Sequence, residues 1–111
     1  LARHWLREMA KPRRILMKWI EIITLRSLSG GNRQLVGELL QQFFKQKESG
    51  LPASIRIYRH CTVDTDLSIH IHWERETSDP GESPLGQQLS YALKGLGLLS
   101  HSIWLETASM E

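Results

Sequence analysis

The chain has 111 residues, a single cysteine and a formal net charge of +2. That length suits one domain with one core, and no apolar run approaches the ~20 residues of a membrane span. Cys61 alone excludes an intrachain disulfide framework or a Cys-pair zinc site, which suits a reducing, cytoplasmic setting.

The charge is unevenly spread. Residues 1–18 hold Arg3, Arg7, Lys11, Arg13, Arg14 and Lys18 against only Glu8, which leaves 8 of the 14 Lys and Arg and 11 of the 12 Asp and Glu for the rest. A nucleic-acid binder needs a basic stripe on its folded face. Here only the tail is basic, so nucleic acid is not an expected partner. Residues 1–18 are expected to form a basic extension, either disordered or upstream of a start at Met17. Trp5, Leu6 and Met9 at helical spacing give the other reading, an amphipathic anchor for an acidic membrane surface.

The domain proper is expected over residues 19–108, with 109–111 as a short tail. A β-branched run predicts a first strand at 19–26. Ser29-Gly30-Gly31 breaks it, and Asn32 can cap a helix. The pairs Leu35/Val36, Leu39/Leu40 and Phe43/Phe44 recur every four residues, giving one wide apolar stripe on a helix ending near Ser49-Gly50. Strands at about 53–62 and 67–76 flank the polar turn Asp64-Thr65-Asp66 and should pair as a hairpin. Ser83 caps a second helix with Pro84 at its first position. Leu85, Leu89, Ala92/Leu93 and Leu96 mark its buried face, and a short strand follows at 101–106. The order β-α-β-β-α-β implies an α+β, ferredoxin-like fold: a four-stranded antiparallel sheet with both helices on one face.

The period of two then sorts the side chains. Ile23, Leu25, Ile55, Ile57, Cys61, Leu67, Ile69, Ile71, Trp73, Ile103 and Leu105 fall on the helix side. The opposite, open face gathers Ile20, Ile22, Arg56, Tyr58, His60, His70, His72, Glu74, Trp104 and Glu106. Large apolar groups there call for a cover, and a second copy is the simplest one, so a homodimer is expected through this face.

Arg56, Tyr58, His60, His70, His72, Glu74, Trp104 and Glu106 are the candidate ligand-binding residues. An arginine fork suits a carboxylate or phenolate, and imidazoles suit acid–base work. His70 and His72, with His60 on the adjoining strand, also resemble the donor set of a catalytic zinc site, with Glu74 or Glu106 behind it. The more ordinary use of these histidines is packing and hydrogen bonding in a subunit interface. Ser29-Gly30-Gly31-Asn32 lacks a P-loop Lys and the full dinucleotide fingerprint, so a tight turn is expected there.

The element order, the strand beginning Ile20-Glu21-Ile22-Ile23 and the segment Ile71-His72-Trp73-Glu74 resemble the dimeric α+β barrel superfamily, and within it the antibiotic-biosynthesis-monooxygenase-like domains. The resemblance spans roughly residues 19–108. It implies paired sheets and a small aromatic or apolar ligand held between sheet and helices; some members oxidise such substrates without a bound metal or flavin, others degrade haem, and many have no assigned activity. Many members carry a His in or just before the second helix, whereas residues 84–99 here contain none. The expected function is a monooxygenase-like small-ligand-binding homodimer. The alternatives are a non-enzymatic ligand-sensing or interaction module and a metal-dependent enzyme built on His60, His70 and His72.

Overall fold

The computed structural model describes residues 15–27, 32–45, 52–77 and 80–111. Expectations for the basic tail before residue 15, the Ser29-Gly30-Gly31 turn and the helix end at Ser49-Gly50 lie outside the described residues, as do the side chains of Asn32, Phe43 and Phe44. The elements run β1 (Ile15–Ser27), α1 (Asn32–Lys45), β2 (Ser54–Arg59), β3 (Asp66–Thr77), α2 (Pro84–Leu93), a 3-10 turn (Lys94–Leu96) and β4 (Gly97–Leu105). The four strands form one antiparallel sheet in the order β2-β3-β1-β4. This is the expected ferredoxin-like α+β arrangement. No described helix is long and apolar enough to cross a membrane.

The strand registers fix the two faces. Trp19, Ile23 and Leu25 of β1 stand opposite Trp73, Ile69 and Leu67 of β3, and all six are buried with Ile71. Val36 and Leu40 of α1 and Leu89 and Leu93 of α2 close over them as one core. Burying a side chain of this size contributes roughly 1.5–3 kcal/mol, so this face dominates the stability of the domain. Ser83 caps α2 as expected, its hydroxyl accepting from the Gly86 N–H at 2.9 Å, with Pro84 at the first helical position.

Several boundaries differ from expectation, each for a local reason. β1 starts at Ile15 rather than Trp19, because β3 continues to Thr77 and supplies partners for residues 15–18. β2 stops at Arg59, since His60 already turns the chain back toward Asp66. Cys61 therefore leaves the strand alternation and is exposed, not buried. Ala92 is exposed, while Gly86, unassigned by the apolar pattern, is buried on the inner face of α2. β4 begins at Gly97 rather than His101. A Cβ at Gly97 would overlap the Arg26 carbonyl, so only glycine lets β4 approach β1 this closely.

Candidate functional site

Register sets Arg56, Tyr58, His70, His72 and Trp104 in rows across the open face of the four strands. One row runs Ser54, His72, Ile20, Trp104; the next runs Arg56, His70, Ile22, Ser102; a third runs Tyr58, Ser68, Thr24, Ser100. The placement of Ile20 and Ile22 on this side agrees with the sequence pattern. Two shallow hollows mark its ends. One, of about 490 Å³, is bordered by Tyr58, His60, Arg26, Asp66 and Leu98. The other, of about 470 Å³, brings together Lys18, His72, Glu74, Trp104 and Glu106. Arg56 and His70 lie between the hollows and line neither.

The face is an ordered surface. The His70 ring packs against Tyr58 with centroids 4.6 Å apart, and its Nε2 lies 2.8 Å from the Ser68 hydroxyl. Partial burial, aided by the like charge of neighbouring His72, lowers the His70 pKa below 6.5, which favours the neutral ring at pH 7. Thr24 and Ser100 share a hydrogen bond across β1 and β4. The Trp104 indole N–H donates to the Ser102 hydroxyl at 2.9 Å, yet 58 % of the residue stays exposed. Arg26 faces Asp66 with Nε–Oδ2 at 3.4 Å.

The three-histidine metal set does not come together. β2 pairs Arg56 with His70, whereas His60 stands by Asp66 at the far end of the hairpin. Four residues of strand put His60 ~13 Å along the sheet from His70. The Nδ1 of His60 is also occupied, accepting the backbone N–H groups of Thr62 and Val63 at 3.1 Å each. Among the described residues no group of three His, Cys, Asp or Glu side chains is placed to hold one ion.

The helix side holds a feature that the alternation of apolar and polar residues did not single out. Glu21 sits in the middle of β1 with helix-side parity and is fully buried. A buried carboxylate is costly unless its oxygens are satisfied, and here three donors converge on it. The Trp73 indole N–H lies at 2.7 Å and the Ser83 backbone N–H at 3.2 Å from Oε1; His101 Nε2 lies at 2.7 Å from Oε2. The start of α2 adds the positive end of a helix dipole. The site thus joins β1, β3, β4 and α2 through one side chain. Gly86 makes room for it, because a Cβ there would overlap Glu21 Oε2 and press on the His101 ring.

With Nε2 held by Glu21, His101 directs Nδ1 toward the carboxylate of Glu82, 3.6 Å away and half exposed; its own side chain is 11 % exposed. A buried carboxylate that fixes one imidazole nitrogen and leaves the other near the surface can hold or pass a proton. Beside this pair lies a third shallow hollow, of about 500 Å³, bordered by Trp19, Trp73, Arg75, Glu82 and Pro84. The two indoles stack with centroids 6.1 Å apart and planes 20° apart, and the Arg75 guanidinium lies 4.4 Å over the Trp73 ring. The Trp19 indole N–H is shielded from solvent and has no acceptor among the described residues.

Two sequence signals, neither drawn from the apolar pattern, could have found this site. A lone Glu at helix-side parity in a central strand needs buried donors, and a glycine inside a capped helix needs a reason for its ~1 kcal/mol propensity cost. Comparison with protein-family models, curated proteins and solved structures finds no match to this chain. Its function has to be read from its own residues.

Proposed function

We propose that this domain binds a small aromatic ligand between the sheet and the start of α2, and works as a homodimer paired through the open sheet face. The observation that carries the reading is the hollow floored by stacked Trp19 and Trp73 beside the buried Glu21–His101 pair. The little indole surface left open there, 7 % of Trp19 and 4 % of Trp73, gives the hollow an apolar floor that suits an apolar guest. Arg75 and Glu82 at the same pocket provide polar groups to orient it. Trp73 belongs to the Ile71-His72-Trp73-Glu74 segment that resembles the monooxygenase-like domains, which supports a ligand of the class those domains take.

Homodimer pairing is supported by what the open face leaves uncovered. Leu98 is 74 % exposed and Trp104 58 %, with Ile20 and Ile22 only partly covered between them. Four strands ~4.8 Å apart and ~30 Å long present ~600 Å² per copy. Two such faces bury ~1,200 Å², the lower bound of a stable interface.

Titration of ¹⁵N-labelled protein with 2-naphthol tests the ligand site through the indole N–H signals of the four tryptophans. The Trp19 and Trp73 signals should shift saturably. A saturable shift confined to Trp104 would move the ligand to the open face and overturn the reading. Light scattering across concentrations tests pairing; a mass of one chain throughout would remove the dimer.

A further inference from the structure

We propose that the hollow at the start of α2 catalyses a proton transfer on an aromatic 2-oxo acid, with Glu82 as the base and His101 and Glu21 positioned behind it. The inference rests on the ligand reading above and gives that same site a substrate class and a reaction.

The first observation is a line of three titratable side chains running from the core to the hollow. His101 Nε2 lies 2.7 Å from Glu21 Oε2, and His101 Nδ1 lies 3.6 Å from Glu82 Oε1. The side chains open to solvent in that order, from 0 % for Glu21 through 11 % for His101 to 49 % for Glu82. Glu82 is the member that borders the hollow. The inner end is fixed, because the Trp73 indole N–H and the Ser83 backbone N–H both donate to Glu21 Oε1. The carboxylate in turn fixes the imidazole.

The second is a place for one proton. A carboxylate only accepts, so the hydrogen between His101 and Glu21 sits on Nε2. Nδ1 of the neutral ring is then an acceptor, and it faces a second acceptor in the Glu82 carboxylate. A proton taken up by Glu82 at the hollow passes inward to Nδ1, and the imidazolium that forms lies against the Glu21 carboxylate. A positioned base of this kind typically contributes about 10²–10⁴-fold to a rate.

The third is the rest of the lining. The Arg75 guanidinium, 4.4 Å over the Trp73 ring, gives the hollow a cation for a carboxylate and for an oxygen that becomes negative. The tryptophan floor takes an aromatic ring. An arylpyruvate carries both features, with an acidic C–H between ring and carbonyl. In the step that C–H bond breaks and its proton goes to Glu82. The freed electron pair forms the carbon–carbon double bond, and the carbonyl π pair moves to oxygen as an enolate. Return of the proton to that oxygen gives the enol, and the reverse path restores the keto acid. The tautomerisation consumes no oxidant, reductant or co-reactant.

The experiment adds phenylpyruvate to the full chain in deuterated buffer. It follows, by NMR, deuterium exchange at the methylene carbon and the indole N–H signals of Trp19 and Trp73. Exchange should run faster than in buffer alone and saturate over the same concentrations as the indole shifts. Glu82→Gln should slow the catalysed exchange about 100-fold and keep the shifts, since the half-exposed side chain it replaces lies outside the core. His101→Gln should lower kcat with KM little changed, a split that a purely structural role would not give. Saturable shifts without faster exchange overturn the reaction and leave the ligand reading standing. Undiminished exchange in Glu82→Gln also overturns it. Neither shift nor acceleration at any concentration overturns both.

Discussion

The two faces of this sheet handle polar groups in opposite ways. On the helix side one carboxylate, Glu21, collects three donors from three other parts of the chain inside a closed apolar core. On the open side eight candidate residues lie within reach of solvent, bonded mostly to near neighbours such as Ser68–His70 and Ser102–Trp104. The lesson is that the richest accumulation of reactive residue types is not where the structure has concentrated its polar order. Clustering in sequence produced the first; long-range convergence produced the second.

The contrast can be broken most severely at Glu21. Glu21→Ala leaves Trp73, Ser83 and His101 facing an empty space and should cost about 3–5 kcal/mol in urea unfolding. Glu21→Gln, which keeps the volume and one acceptor, should cost visibly less. Gly86→Ala comes next, at about 1–3 kcal/mol, because the new methyl meets Glu21 Oε2 and the His101 ring. A loss below ~0.5 kcal/mol would mean that α2 shifts freely and the carboxylate is not tightly housed.

A smaller, directional effect belongs to the open face. The His70 pKa is lowered in the fold, so the unfolded chain binds the proton more readily than the folded one. Stability should be full above pH 6.5 and decline as pH falls below it toward the folded pKa. His70→Gln should remove that part of the decline in melts run from about pH 7.5 to about pH 5; an unchanged slope would assign it elsewhere. The smallest effect on folding is expected from Trp104→Ala, within about 0.5 kcal/mol for the isolated chain. The same variant should weaken self-association, and an unaltered dimer would place the interface elsewhere.

The fold was legible because its signals are local. The β-branched run of β1, the alternation in β2 and β3, the four-residue apolar repeat of α1 and the Ser83-Pro84 cap each follow from neighbouring residues, and together they leave one economical topology. The open face was legible for the same reason: parity alone puts Arg56, His70 and Trp104 on one side. Reach along that face was less so. His60 has the right parity, but the start of the β2–β3 turn decides its position, and its Nδ1 serves that turn. The Glu21 site was hidden because its partners lie 52, 62 and 80 residues away in sequence. From sequence, His101 reads as the start of a strand and Gly86 as an ordinary weak helix position. Only the packed structure shows that the three belong together.

β1 is the strand both faces share, with β3 on one side and β4 on the other. Because its side chains alternate, deleting one residue between Trp19 and Leu25 would turn Glu21 out to solvent and drive Ile20 or Ile22 inward. Both the buried carboxylate and the candidate interface would be lost in one step. Length change in this domain is therefore confined to the connections, and diversification along β1 must proceed by substitution. Homologous chains should show gaps in the β2–β3 turn and the segment before α2, and an ungapped block from residue 19 to 25.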